Sequence, residues 1–186
     1  GAREGIVKGM YLLHAAPTPS ARHVQLLGSG AILREALAAS ELLAREFAVT
    51  SDVWSVTSFN ELARDSEDAR RHGRLHPDAV PRTSYVEQSL SERPRGPVIA
   101  ATDYMKIYAE QIRAAVPRRY VVLGTDGFGR SDFRSKLREH FEINRHYIVV
   151  AALKALADDG AIPMARVAEA IAKYGIDANK INPLYA

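Results

Sequence analysis

Cysteine is absent from the 186 residues, which excludes a disulfide framework, a thiolate zinc site and a cysteine nucleophile, and suits the reducing cytoplasm. Long hydrophobic runs are missing too. The longest apolar stretch, Tyr147 to Leu153, falls well short of the roughly 18–20 residues that span a bilayer, and no secretory signal pattern is present. Charge of one sign is scarce: 25 Lys and Arg face 22 Asp and Glu, for a net +3. The arginines are scattered among acids, and aromatics make up only 8% of the chain. The basic-and-aromatic interleaving that stacks bases is therefore lacking, which argues against nucleic-acid binding. A starting methionine is also missing. The chain opens "GAREGIVKGMY" and reads as a piece of a longer subunit.

What is there is an ordinary globular composition, 47% hydrophobic and 25% charged, enough for one domain over 1–186 with a real core. Four short apolar runs each lead through a turn into a helical pattern. "HVQLLGSG" precedes a helix with Ile32, Ala36, Ala39, Leu43 and Phe47 on one stripe. "SDVWSVTSF" precedes a helix to about His72, opened by the capping box Ser58-Phe59-Asn60-Glu61. "GPVIAATDY" precedes "MKIYAEQIRAAV", a helix that Pro117 must stop. "RRYVVLGTDGFGRSD" precedes "FRSKLREHF", with Ser131 or Asp132 as its N-cap. Alternation of this kind predicts an α/β fold with a mostly parallel sheet covered by helices.

Two further helices follow, over 144–160 and 163–175; the first is apolar nearly all round and is expected against the sheet. Residues 1–22 form an N-terminal edge segment with β character, and 176–186 a C-terminal tail. The stretch 71–96 reads as a long, proline-punctuated connection. Parallel strands gather their C-terminal turns on one edge, here Gly28–Gly30, Thr57–Asn60, Thr102–Tyr104 and Thr125–Asp132.

The motifs carry little complete chemistry. Gly28-Ser29-Gly30 resembles the start of a dinucleotide fingerprint, but the third glycine falls at Leu33 and no ribose-binding acid ends the second strand. A free-standing nucleotide-binding α/β enzyme is the alternative that this turn leaves open. His72 and His76 are four apart, yet a glycine separates them, a proline follows and no third ligand is placed. His140 and His146 read as surface or capping residues. The Thr125–Asp132 loop is richer: Asp126 and Asp132 are possible acid and base, Arg130 could hold an anion, and its glycines permit close approach. No nucleophile surrounds it, so the loop, with Phe128, is a candidate contact site rather than a catalytic one.

"VQLLGSGAILREALAASELLA", "SDVWSVTSFNELARD", "LHPDAVPRTSYVEQ", "ATDYMKIYAEQIR", "VLGTDGFGRSDFRSKLREHFEIN" and "INPLYA" together resemble the C-terminal domain of the homodimeric bacterial pyruvate dehydrogenases. These are the decarboxylating, acetyl-transferring first components of the pyruvate dehydrogenase complex. The resemblance implies a transketolase-like C-terminal fold, a three-layer α/β domain with a mixed, mostly parallel sheet and helices on both faces, in a longer, homodimeric subunit. It also implies a parent enzyme that decarboxylates pyruvate on thiamine diphosphate with magnesium and acetylates the lipoyl group of the acetyltransferase component. The family's diphosphate-and-metal motif, Gly-Asp-Gly with a later pair of asparagines, does not occur here, since "TDGFG" has no such pair after it. No catalytic, cofactor-binding or metal-binding residue is therefore carried over. The expected role is assembly. The loop residues Asp126, Phe128, Arg130 and Asp132 would contact a neighbouring domain or subunit. The subunit-binding domain of the dihydrolipoyl acetyltransferase would dock on acids at Glu61, Asp65, Glu67 and Asp68, or at Asp158 and Asp159. The last two sit unfavourably at a helix C-terminus, where a cationic partner would relieve them.

Overall fold

The computed structural model describes residues 2–18 and 20–186. Five strands form one sheet in the order β1-β3-β2-β4-β5, from β1 (Met10–His14), β2 (His23–Ser29), β3 (Thr50–Val56), β4 (Val98–Ala101) and β5 (Tyr120–Leu123). Strands β2 to β5 run parallel, and β1 pairs antiparallel with β3 at one edge. The expected mixed, mostly parallel sheet is thus present, and the N-terminal segment does supply an edge strand. A helix not foreseen, α1 (Ala2–Lys8), precedes that strand, and Gly5 lets it lie close: a Cβ there would stand 2.7 Å from the Met10 carbonyl oxygen.

Strand alternation sorts the core into two halves. Val24, Leu26, Val53, Ile99 and Ala101 face α2 (Leu33–Phe47), α7 (Arg145–Asp158) and α8 (Ala165–Lys173). Leu27, Trp54, Val56, Val98 and Ala100 face α3 (Phe59–Leu75), α4 (Tyr85–Ser91) and α5 (Lys106–Glu110). Fully buried Leu26, Leu43, Leu62, Ile99 and Leu153 each contribute about 1.5–3 kcal/mol of hydrophobic stabilisation. The stripe read from α2 is the buried one, since Ala36, Ala39, Leu43 and Phe47 all face the core. Helix α7 buries Ile148, Val149, Ala152, Leu153, Ala155 and Leu156 but leaves the Lys154 side chain half exposed.

Local chemistry explains several boundaries. Ser58 caps α3, its hydroxyl accepting from Glu61 N at 3.1 Å, and α3 continues past Gly73 to Leu75 rather than ending near His72. The stretch 71–96 contains α4, a helix the prolines conceal, with Asp65 Oδ2 accepting from Tyr85 N at 2.6 Å at its start. The helix expected over 105–116 is broken: α5 ends at Glu110, and a separate 3-10 turn, Arg113–Ala115, follows. Helix α6 (Arg134–His140) has Phe133 at its N-cap position, beyond both Ser131 and Asp132; Asp132 Oδ1 instead accepts from Phe133 N at 2.7 Å.

Candidate functional site

Strands β2 and β4 lie side by side while the chain crosses over to β3 in between, so the topological switch falls between their C-terminal ends, the usual ligand crevice of such sheets. At that point Gly30 takes φ +57°, and a Cβ on it would stand 2.7 Å from Asp103 Oδ1. The other Asp103 oxygen accepts from Ala31 N at 3.4 Å. The place where a dinucleotide's pyrophosphate would approach is therefore held by the protein's own carboxylate, which repels an anion. Two shallow clefts flank it. One, about 290 Å³, is lined by Ser29, Thr57, Asn60, Thr102, Tyr104 and Tyr108. The other, about 240 Å³, is largely apolar, with Ile32, Asp103, Leu137 and Phe141 on its walls.

The Thr125–Asp132 loop lies beside these clefts as expected, but its charged residues do not converge. Asp126 Oδ2 accepts from Lys106 N at 3.3 Å and lies 3.8 Å from the Lys106 ammonium. Asp132 is spent on its own neighbour, Phe133 N. Arg130 is exposed and makes no hydrogen bond or ion pair among the described residues. Gly127, at φ +107°, lets the C-terminal tail come close: a Cβ there would fall 2.2 Å from the Pro183 carbonyl oxygen. Three segments, 104–108, 126–133 and 181–185, thus meet at this edge, joined by the Lys106–Asp126 and Gly127–Pro183 approaches. Tyr104, Met105, Ile107, Phe128, Phe133 and Tyr185 are exposed there, the two phenylalanines at 77% and 83%. These segments present exposed aromatic and aliphatic side chains together with the charged Asp126, Arg130 and Asp132. Beneath this edge Glu35, 4% exposed, anchors α2 to α6 and α7. Burial alone would push its carboxyl up, but the hydrogen bonds and charge of Arg145, with Arg138, outweigh that and hold it below its ordinary value.

The six candidate docking acids mostly have internal partners. Glu61 pairs with Arg64 and Glu67 with Arg70, both at 2.6 Å. Asp65 pairs with Arg82 at 2.7 Å besides receiving Tyr85 N. Asp158 is held by Lys154 at 2.5 Å and Asp159 by Arg119 at 2.6 Å, so the cost of acids at this helix end is already met from within. Asp68 is exposed and unpaired among the described residues. The His72 and His76 rings lie 4.7 Å apart, tilted by 39°, but no group of three possible metal ligands occurs among the described residues. None of their helices is long and apolar enough to cross a membrane.

The site missed in the sequence is at the opposite, N-terminal edge. Asp52, fully buried, accepts from Arg93 Nε and Nη2 at 2.8 and 3.0 Å, from Gln25 Nε2 at 3.0 Å and from Ala16 N at 2.9 Å. His23 Nε2 lies 3.3 Å away, and Trp54 Nε1 donates to Gln25 Oε1 at 2.7 Å. Burial pushes the Asp52 carboxyl up, while His23, Arg93, Ala16 N and Gln25 together drive it far below the ordinary carboxylate range. A polar pair at Gln25 and Asp52, inside otherwise apolar strands, was the only available signal.

A three-layer α/β domain with exposed aromatic side chains at the C-terminal edge of its sheet is thus defined. The chain belongs to the family of the transketolase-like TK C-terminal domain, whose model matches residues 9–144. Among similar proteins, the pyruvate dehydrogenase E1 component of Pseudomonas aeruginosa is 63% identical over 99% of this chain and 21% of its own length. That of Escherichia coli K12 is 54% identical over 100% of this chain and 21% of its own. This chain therefore spans about a fifth of the length of the curated relatives it matches. A Pichia stipitis transketolase solved with xylulose 5-phosphate shares the fold at TM-score 0.57, with 17% identity over 84% of this chain and 19% of that one.

Proposed function

We propose that this domain is the non-catalytic assembly unit of a thiamine-diphosphate-dependent pyruvate dehydrogenase component. The whole subunit would decarboxylate pyruvate and acetylate the lipoyl group of an acetyltransferase core. The observation that carries this reading is the meeting of three segments at the C-terminal edge, where Phe128 and Phe133 stand in the open. Exposed aromatics gathered at one edge mark a surface meant to be covered. The four-fifths of the relatives' length that lies outside this chain is the natural cover, as a neighbouring domain or the other subunit of a homodimer. Asp126 and Arg130 would give that packing its register, Asp132 by shaping the turn.

The cofactor, with its magnesium, would sit elsewhere in the subunit. Isothermal calorimetry of the 186-residue chain with thiamine diphosphate and magnesium should give no saturable heat; micromolar binding would overturn the proposal. For docking of the basic subunit-binding domain of the core, the α3 acids Glu61, Asp65, Glu67 and Asp68 are the stronger choice, because Asp68 is open. Asp158 and Asp159 would first have to give up Lys154 and Arg119. Glu67→Gln/Asp68→Asn should weaken that docking and reduce its salt sensitivity. Asp65 is a poor test residue because it also caps α4.

A further inference from the structure

Opposite the exposed aromatics, the N-terminal edge of the sheet carries a polar cleft of about 460 Å³. Its walls include Ser91, Arg95, Gly96, Arg118, Arg119 and Asp159. The three arginines are in different situations. Arg119 is neutralised, its Nε donating to Asp159 Oδ1 at 2.6 Å. Arg118 has no carboxylate. Its guanidinium is held by backbone carbonyls alone, donating to Pro94 O and Leu90 O at 2.7 Å and to Arg93 O at 3.0 Å. Three of its five N–H donors are thereby used, leaving Nε–H and one Nη1 hydrogen. Arg95 makes no hydrogen bond or ion pair among the described residues.

Two guanidiniums without a counter-charge thus share one cleft, the first half-buried and fixed, the second free to swing. Burial, and then the nearby charge of Arg95, pull the Arg118 guanidinium below its ordinary value. The segment bearing Arg95 is stiff: Pro94 precedes it, Pro97 follows Gly96, and Gly96 lies so close to the sheet that a Cβ on it would overlap the His23 carbonyl. Like charges in one cleft cost free energy, and a dianion there would turn that repulsion into two attractions.

We infer that the cleft between Arg95 and Arg118 is a binding site for a small phosphate-class dianion, free or as the phosphoryl end of a larger metabolite. Phosphate fits because its planar-fork partner is arginine, which can bind two oxygens at once, and its charge matches the two uncompensated guanidiniums. The cleft also has room beyond one phosphate group. It is separate from the contact face of the proposed function, so either reading can fail alone.

The test is a titration of the 15N-labelled chain by NMR at constant ionic strength, with pyrophosphate, inorganic phosphate, ADP and sodium chloride in separate arms. Saturable shifts centred on the Gly96 and Arg119 amides and the Arg118 side chain are expected with the phosphates and not with chloride. Arg95→Gln should weaken pyrophosphate binding about tenfold, and Arg134→Gln, at the opposite edge, should leave it unchanged. Arg118→Lys keeps a cation but loses the fork, and should weaken binding at least as much as Arg95→Gln. Tighter binding of ADP than of pyrophosphate would assign the source as a nucleotide, and equal binding a simple phosphate. Linear, unsaturated shifts equal in wild type and Arg95→Gln would overturn the site. So would saturable binding of a glutamate-rich peptide with none of pyrophosphate.

Discussion

The two edges of this sheet are made of the same strands, yet they handle polarity in opposite ways. At the N-terminal edge charge is drawn inward: Asp52 is fully buried, and its oxygens accept from Arg93, Gln25 and Ala16 N. At the C-terminal edge apolar groups are pushed outward, with Phe128, Phe133 and Tyr185 standing in solvent. The first arrangement stabilises the chain by itself. The second is unfavourable until something covers it. On the proposed function, the C-terminal edge is the one that a neighbouring domain or subunit would cover.

The sharpest way to break that comparison is at Asp52. Asp52→Ala leaves Arg93 and His23 without their anion, and should cost about 3–5 kcal/mol, as loss of one partner of a buried ion pair does, read as a lower urea midpoint at unchanged slope. A loss below about 1 kcal/mol would mean the network is not the stabilising element. Gly127→Ala comes next. At φ +107° and 2.2 Å from the Pro183 oxygen an added methyl must displace the tail, at about 1–3 kcal/mol, with faster proteolysis at residues 181–186 as the local sign.

Acid should act on the N-terminal edge as well. Glu46, at that end of α2, has its carboxyl held at about 2 by Arg45 and then Lys173, against an ordinary 4.5. A folded-state value below the unfolded one contributes stability above the unfolded value, and that stability is lost as pH falls toward the folded value. The chain should therefore weaken as pH drops from about 4.5 toward 2. Glu46→Gln should flatten that slope by about 1 kcal/mol, a figure reduced because its cationic partners are exposed. The smallest effect belongs to the C-terminal edge: Phe128→Ser/Phe133→Ser should change the stability of the chain by no more than about 0.5 kcal/mol. In the whole subunit the same pair should loosen assembly, seen by analytical ultracentrifugation. A large loss in the chain alone would mean this edge belongs to the core.

The sequence made local features legible and long-range pairs invisible. The Ser58 N-cap, the α2 stripe and the alternating strands depend on neighbours within a few positions and are present. The reciprocal half of the capping box is not, since Ser58 N donates to Gly9 O rather than to the Glu61 side chain. Helix α4 was hidden because seven residues between prolines give too little periodicity. Residues 105–116 looked like one helix because every residue there tolerates helix, whereas the chain tightens after Glu110 so that Ala109, Ile112 and Ala115 pack under the sheet. Asp159 looked exposed and costly because Arg119, 40 positions away, does not show in the local pattern, whereas Lys154, the partner of Asp158, lies only four positions back and was legible. Asp52 and Arg93, 41 positions apart, were out of reach for the same reason. For the contact face, Phe128 could be singled out but the part played by the tail could not, since only the Gly127 approach to Pro183 joins them.

Strand β5 has a further consequence, for crowding. It is the outer parallel strand, four residues long, and Arg113 Nη1 donates to its Tyr120 carbonyl at 2.9 Å. At the other margin α1 folds back on β1, whose pairing slips between Leu12 and His14. Neither margin offers a foreign strand a long row of open amides. At high concentration the domain should therefore associate reversibly through its aromatic face rather than grow into fibrils, and dilution should disperse it.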